Sequence, residues 1–184
     1  MALAMGLARA LAMAMARAMA KESAIMTHTM LHSAMEYIRS GYKVFPCVPG
    51  GKEPLGRLAP HGCRDATGDE DQVRTWWSTV PDANIGVATG DGLVVIDVDY
   101  DPITGLDGYQ TLADLEAQLG SLPRGRRVRT PRGGMHIYLH FPTTDDIPNS
   151  TSVLGPGIDV RSDGGYVVGA GSQIDMVYYA DESD

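Results

Sequence analysis

Two carboxylates separated by one residue, Asp97 and Asp99, follow the apolar run Leu93-Val94-Val95-Ile96. In an extended strand the two share a face, with Val94, Ile96 and Val98 on the other. Residues i and i+2 lie roughly 6–7 Å apart, so their charges repel, and a cation between them would relieve the repulsion. The same residues also read as a strand that ends in a polar turn. Two further strand-like segments carry polar groups where a sheet normally carries apolar ones. In Met135–Phe141, His136, Tyr138 and His140 alternate with Met135, Ile137, Leu139 and Phe141. In Gly157–Arg161, Asp159 and Arg161 alternate with Ile158 and Val160. Each has an ordinary explanation alone, a satisfied histidine or a local ion pair. Together, Asp97, Asp99 and Asp159 are three carboxylates able to hold two hard cations about 3.5–4 Å apart, the geometry used for in-line displacement at phosphorus. One cation would activate a 3′-hydroxyl and the other would neutralise a triphosphate. His136 and the backbone N–H groups of Gly133-Gly134 would stand where they can cradle phosphates.

These segments need a scaffold. Leu31, Ala34, Met35 and Ile38 recur at helical spacing over Thr29–Arg39, and Gly41 is a natural stop. A short strand, Tyr42–Pro46, precedes the Gly-rich loop Pro49–Leu55, which exposes Lys52 either as a solvated lysine or as a phosphate contact. Asp69, Glu70 and Asp71 open a second helix, where the macrodipole favours anions. Its Val73, Trp76 and Trp77 mark a buried side, though adjacent tryptophans can also stack on bases. Asn84–Gly90 reads as a strand and turn leading into the Asp97 strand. A third helix spans about Gly108–Leu119, with Leu112, Leu115 and Leu119 on one face and Gly120 as its cap. Two hairpins follow. Arg126–Thr130 pairs with Met135–Phe141 across Pro131–Gly134, and Gly157–Arg161 pairs with Tyr166–Val168 across Ser162–Gly165. Helices and mainly antiparallel strands mix, so α+β is the expected class.

At 184 residues and 43% hydrophobic content the chain suffices for one domain with a proper core. Fifteen Lys and Arg against 23 Asp and Glu give a net charge of −8, which argues against a surface coated for DNA binding. The basic residues concentrate locally in Arg124, Arg126, Arg127, Arg129 and Arg132, a solvated face or a phosphate-binding patch. Cys47 and Cys63 form no disulfide framework and suggest a reducing cytoplasm; with His61 they make a poor zinc site. Residues 1–28 are rich in Ala, Met and Leu and read as a helix or an extension, ahead of a catalytic domain over 29–184. The uncharged run Ala10–Ala16 is too short to span a bilayer, and the charge pattern does not suit a signal peptide.

The residues resemble the archaeo-eukaryotic primases, and more closely the bifunctional primase–polymerase (Prim-Pol) domain of plasmid and phage replication proteins. Val95-Ile96-Asp97-Val98-Asp99, Arg132-Gly133-Gly134-Met135-His136 and Gly157-Ile158-Asp159-Val160-Arg161 are similar to that family's three motifs. Gly51–Leu55, Asp65-Ala66-Thr67, Asn84–Gly90 and Gly164–Val168 also match its pattern, so the likeness covers about Met30 to Ser172. It implies a primase–polymerase fold, with a catalytic antiparallel sheet like that of RNA-recognition domains and an N-terminal α/β lobe. It implies a nucleotidyltransferase that makes or extends primers on single-stranded DNA from NTPs or dNTPs. Asp97, Asp99 and Asp159 would hold Mg²⁺ or Mn²⁺, and His136 would contact the triphosphate. Arg132, Arg161 and Lys52 would contact phosphate or template, alongside the DNA-facing Arg124, Arg126, Arg127 and Arg129. Family members usually continue into a helicase, so the chain reads as a fragment, with a cytoplasmic setting and no membrane. Two rivals stand beside this reading. One is a metal-dependent glycosyltransferase acting on a nucleotide-sugar, the other a nucleic-acid-binding module whose metal site has lapsed.

Overall fold

The computed structural model describes residues 30–142 and 147–182. The expectations for residues 1–28, and the start of the first helix at Thr29, lie outside them. Helix α1 (30–39) packs Met30, Ala34, Met35 and Tyr37 inward and ends at Gly41, whose φ of 88° only glycine adopts freely. Helix α2 (Glu70–Thr79) opens at Asp69, whose carboxylate accepts a hydrogen bond from the Gln72 amide. Both tryptophans belong to the core. Trp77 is fully buried and its indole N–H donates to the Ala83 carbonyl at 2.9 Å, so base stacking is ruled out for it. Trp77→Ala should lower stability by about 3–5 kcal/mol, read by urea denaturation.

Two sheets divide the strands. The smaller has the order β1 (Val44–Cys47), β2 (Asn84–Ala88), β10 (Tyr166–Val168) and carries α1 and α2. The larger is antiparallel throughout, and five of its strands are β3 (Leu93–Val98), β6 (Arg127–Arg129), β7 (Met135–His140), β8 (Ser150–Thr151) and β9 (Ile158–Arg161). With β13 (Ala180–Asp181) the order is β13-β6-β7-β3-β9-β8. Two small ribbons, β4 (Tyr100–Asp101) with β5 (Leu106–Asp107) and β11 (Gln173–Ile174) with β12 (Val177–Tyr178), complete an α+β architecture.

Strand alternation gives the larger sheet two different faces. Val94, Ile96 and Val98 join Met135, Ile137, Leu139, Ile158 and Val160 in a core covered by Tyr109 and Leu112 of helix α3 (Gly108–Leu119). Leu119 does not contribute to that core; it is 81% exposed. The opposite face is partly apolar. There Leu93, Val95, Val128 and Tyr138 pack into the core shared with the smaller sheet. The polar residues occupy the rest of that face.

The first expected hairpin forms, with Arg127–Arg129 paired to Met135–Ile137. The second does not. Strand β9 pairs with β3 and β8 in the larger sheet, whereas β10 pairs with β2 in the smaller one. The Ser162–Gly165 turn does close, by the Gly165 amide to the Ser162 carbonyl at 2.8 Å, but it is a corner between sheets. Thr89 holds that corner through its hydroxyl on the Ser162 carbonyl and its amide on the Gly165 carbonyl. A Cβ at Gly165 would come within 2.5 Å of the Asn149 side-chain oxygen, so only glycine fits the passage. Strand β10 therefore gives the N-terminal lobe a C-terminal member.

Candidate active site

Antiparallel register sets the site. Asp97 on β3 stands directly opposite His136 on β7 and directly opposite Asp159 on β9. The three side chains thus form one row across neighbouring strands, on the face that Val95, Tyr138 and Arg161 continue. Asp99 lies one pleat beyond Asp97, past the end of β3. Its amide donates to the Gly157 carbonyl at 2.8 Å and its carbonyl accepts from the Gly108 amide at 2.9 Å. The backbones of Gly108 and Gly157 touch there: a Cβ at Gly108 would meet the Gly157 and Asp99 carbonyl oxygens at 2.4 and 2.6 Å. Gly108→Ala should therefore displace Asp99, costing about 1–3 kcal/mol of stability in thermal unfolding and reducing activity with it.

Burying like charges opposite one another is unfavourable, and ionisation responds. Loss of water pushes the Asp97 carboxyl up to about 6, with Arg161 opposing the rise and Asp159 adding to it. Asp99 is raised as well, by partial burial and then by Asp97 and Asp159. His136 moves the other way, down to about 4, because burial and then Lys52 disfavour the imidazolium. Its Nε2 lies 3.5 Å from Asp97 Oδ1. Its buried Nδ1 makes no well-formed hydrogen bond, although the backbone of Val168 lies beside it.

The row opens into a cleft of about 440 Å³ whose lining includes Lys52, Asp97, His136, Asn149, Arg161 and Tyr179. Five of the expected site residues, Asp97, Asp159, His136, Arg161 and Lys52, thus meet in one neighbourhood, with Asp99 at its edge. Arg161 Nη2 lies 2.7 Å from Asp159 Oδ2 and 3.9 Å from Asp97 Oδ2. Asp159 Oδ1 accepts from the Ser152 amide at 3.0 Å, which fixes the carboxylate's second oxygen.

Other expected residues stand apart. Arg132, Gly133 and Gly134 are not among the residues lining the cleft. The Gly133 amide is committed to the Thr130 carbonyl, and its own carbonyl accepts from the Tyr109 hydroxyl, so that donor is unavailable as a phosphate cradle. Arg124, Arg126 and Arg127 line a separate groove with Asp181 and Glu182. Arg126 is an internal strut: its guanidinium lies 4.0 Å over the Tyr37 ring and pairs with Asp181. Arg129 Nη2 bonds Glu182 at 2.9 Å. Two residues escaped the reading of the sequence. Tyr179 packs its ring 5.7 Å from that of His136 at the cleft wall. Asn149 bonds both the Ser162 amide and the Asp163 carbonyl, holding the corner. Tyr179 stood in plain view beside Tyr178, but no periodicity linked it to the motifs.

Among the described residues, no three His, Cys, Asp or Glu side chains converge as a ready-made metal site. The expected carboxylate triad shares a face without closing on a common point, and the Arg161 guanidinium reaches toward both Asp97 and Asp159. The donors themselves fit a hard divalent cation: all are carboxylate oxygens, and Asp97 and Asp99, raised first by burial, are raised further by their carboxylate neighbours. Cys47 and Cys63 are both free, and burial pushes the Cys47 thiol up to about 12. No described helix is long and apolar enough to cross a membrane.

An antiparallel sheet bearing an acidic row, backed by a smaller sheet that carries helices, is the organisation of a primase–polymerase. The family model for the N-terminal domain of bifunctional DNA primase/polymerases matches residues 34–182, and the chain belongs to that family. A search of curated proteins found no match. Membership supports a primase/polymerase nucleotidyltransferase role, with DNA and nucleotides as substrates, in a family whose enzymes are generally metal-dependent.

Proposed function

We propose that the chain is a DNA-templated nucleotidyltransferase that synthesises or extends primers on single-stranded DNA from NTPs or dNTPs. The observation that carries this reading is the Asp97, His136 and Asp159 row, opening on a cleft that Lys52 and Arg161 also line. Asp97, Asp99 and Asp159 would hold Mg²⁺ or Mn²⁺, which supplies charge neutralisation at the reacting phosphate and lowers the 3′-hydroxyl's hold on its proton. His136 is neutral at pH 7, so it offers a triphosphate oxygen an N–H donor and adds no charge. Lys52 and Arg161 supply the positive charge that opposes the triphosphate. Ser152 and the Gly108–Gly157 contact keep Asp159 and Asp99 in position while substrates exchange.

Arg124, Arg126, Arg127 and Arg129 would meet the template backbone. Arg132 and Gly134 would meet phosphate from outside the cleft, whereas the Gly133 amide and carbonyl are already committed. We place the catalytic domain at 29–184, in a longer replication protein of a phage or plasmid that also carries a helicase. A reducing cytoplasm agrees with the two free thiols.

The test is incorporation of labelled nucleotides on a single-stranded template, with and without primer, comparing NTPs with dNTPs and Mg²⁺ with Mn²⁺. Metal-dependent incorporation is expected. Metal-independent strand binding with no incorporation would instead favour the lapsed binding module, and hydrolysis of a nucleotide-sugar would favour the glycosyltransferase. Arg132→Ala should weaken template or nucleotide binding severalfold, with a loss that shrinks as salt rises, measured by fluorescence anisotropy.

A further inference from the structure

A side chain of the protein itself reaches toward both Asp97 and Asp159. Arg161 sits two residues from Asp159 on the same strand and the same face, so its guanidinium folds back over that carboxylate at 2.7 Å and reaches Asp97 at 3.9 Å. It is the only cation of the described residues in ion-pair contact with either carboxylate apart from the neutral-leaning His136. Its side chain is one-third exposed and lines the cleft with Lys52, so a released guanidinium has open space on the side where a triphosphate would lie.

We propose that Arg161 is a resident stand-in for the divalent cation, occupying the carboxylate pair in the metal-free protein and leaving it for the cleft when the cation arrives. This rests on the reading of Asp97 and Asp159 as metal ligands and deepens it. The same positive charge serves two places in turn. It offsets the repulsion between facing carboxylates while the site is empty, and it turns toward the nucleotide's phosphates once a cation takes over. Cation binding and nucleotide binding would then favour each other, since each leaves Arg161 better placed for the other. The cost is a weaker affinity for the cation alone, because the cation must displace a bonded guanidinium.

The test is Mn²⁺ binding to the full chain without nucleotide, followed by the electron paramagnetic resonance signal of free Mn²⁺. Arg161→Gln should bind Mn²⁺ roughly tenfold more tightly than the wild type, the scale of one charge contact at a largely buried site. Asp97→Asn should lose that binding in either background. Equal or weaker binding by Arg161→Gln overturns the proposal while leaving the carboxylates as ligands. Absence of Mn²⁺ binding in both wild type and Arg161→Gln overturns the proposal together with the metal reading beneath it. A second measurement needs no variant. Mn²⁺ should speed modification of Arg161 by phenylglyoxal in the wild-type chain, read by peptide mass spectrometry, and an unchanged rate in Mn²⁺-bound protein overturns the exchange.

Discussion

Asp97→Ala combined with Asp99→Ala should abolish divalent-dependent primer extension, with a loss of roughly 10³-fold or more. Charge neutralisation by a bound cation is worth several kcal/mol at a transferring phosphate, and each 1.36 kcal/mol is a factor of ten in rate. The two carboxylates do not contribute alike. Asp97 is at the centre of the row, flanked by His136 and Asp159, whereas Asp99 is held beyond the strand by Gly108 and Gly157. Asp97→Ala alone should therefore approach the double variant, and Asp99→Ala should retain more activity. Unchanged incorporation by the double variant would refute the assignment of these residues as ligands. The control is template binding, which rests on other side chains and should persist in an anisotropy assay.

Stability against pH offers the second large effect, because Asp97 and His136 respond in opposite directions. Asp97 rises from 3.8 to about 6 on folding, so between those values the folded state holds a proton that the unfolded chain has lost. That contribution is full below 3.8 and is lost as pH rises through 6. His136 falls from 6.5 to about 4, so between those values the unfolded chain holds the extra proton. That contribution is full above 6.5 and is lost as pH falls through 4. In the metal-free wild type the two slopes nearly cancel between about pH 4 and 6. Single variants should uncover them. His136→Gln should lose stability as pH rises through that range, and Asp97→Asn should gain it, each by up to ~1.4 kcal/mol per pH unit. At pH 7, without metal, Asp97→Asn should be more stable than the wild type by about 3 kcal/mol while lacking activity. Urea titrations across the range decide the matter, and parallel slopes for the two variants would refute the coupling.

The site's faces were legible because alternation along a strand is a local property. Asp97, His136 and Asp159 each announced their side from neighbours two residues away, and the register then aligned them. The partner of a strand is not local. Ser162-Asp163-Gly164-Gly165 has the chemistry of a tight turn, and a turn forms, but nothing in those four residues says that β10 leaves for another sheet. The arginine cluster misleads for a similar reason. Arg126 and Arg129 look solvent-seeking among their neighbours, yet Asp181 and Glu182, more than fifty residues later, return to pair with them. Lys52 was legible as a solvated lysine or a phosphate contact, but its place beside Asp97 and His136 was not, since that depends on the packing of the smaller sheet.

That returning strand has a bearing on how the protein meets a polyanion. Salt dependence of nucleic-acid binding counts the small ions set free when a basic side chain meets a phosphate. Arg126 and Arg129 already carry covalently attached counterions in Asp181 and Glu182, which cannot drift into bulk solution. A phosphate that recruits either arginine trades one carboxylate for another anion and gains little from dilution entropy. The template would then hold less tightly than the run of arginines advertises and slide more readily, a grip suited to a strand that must advance one nucleotide at a time.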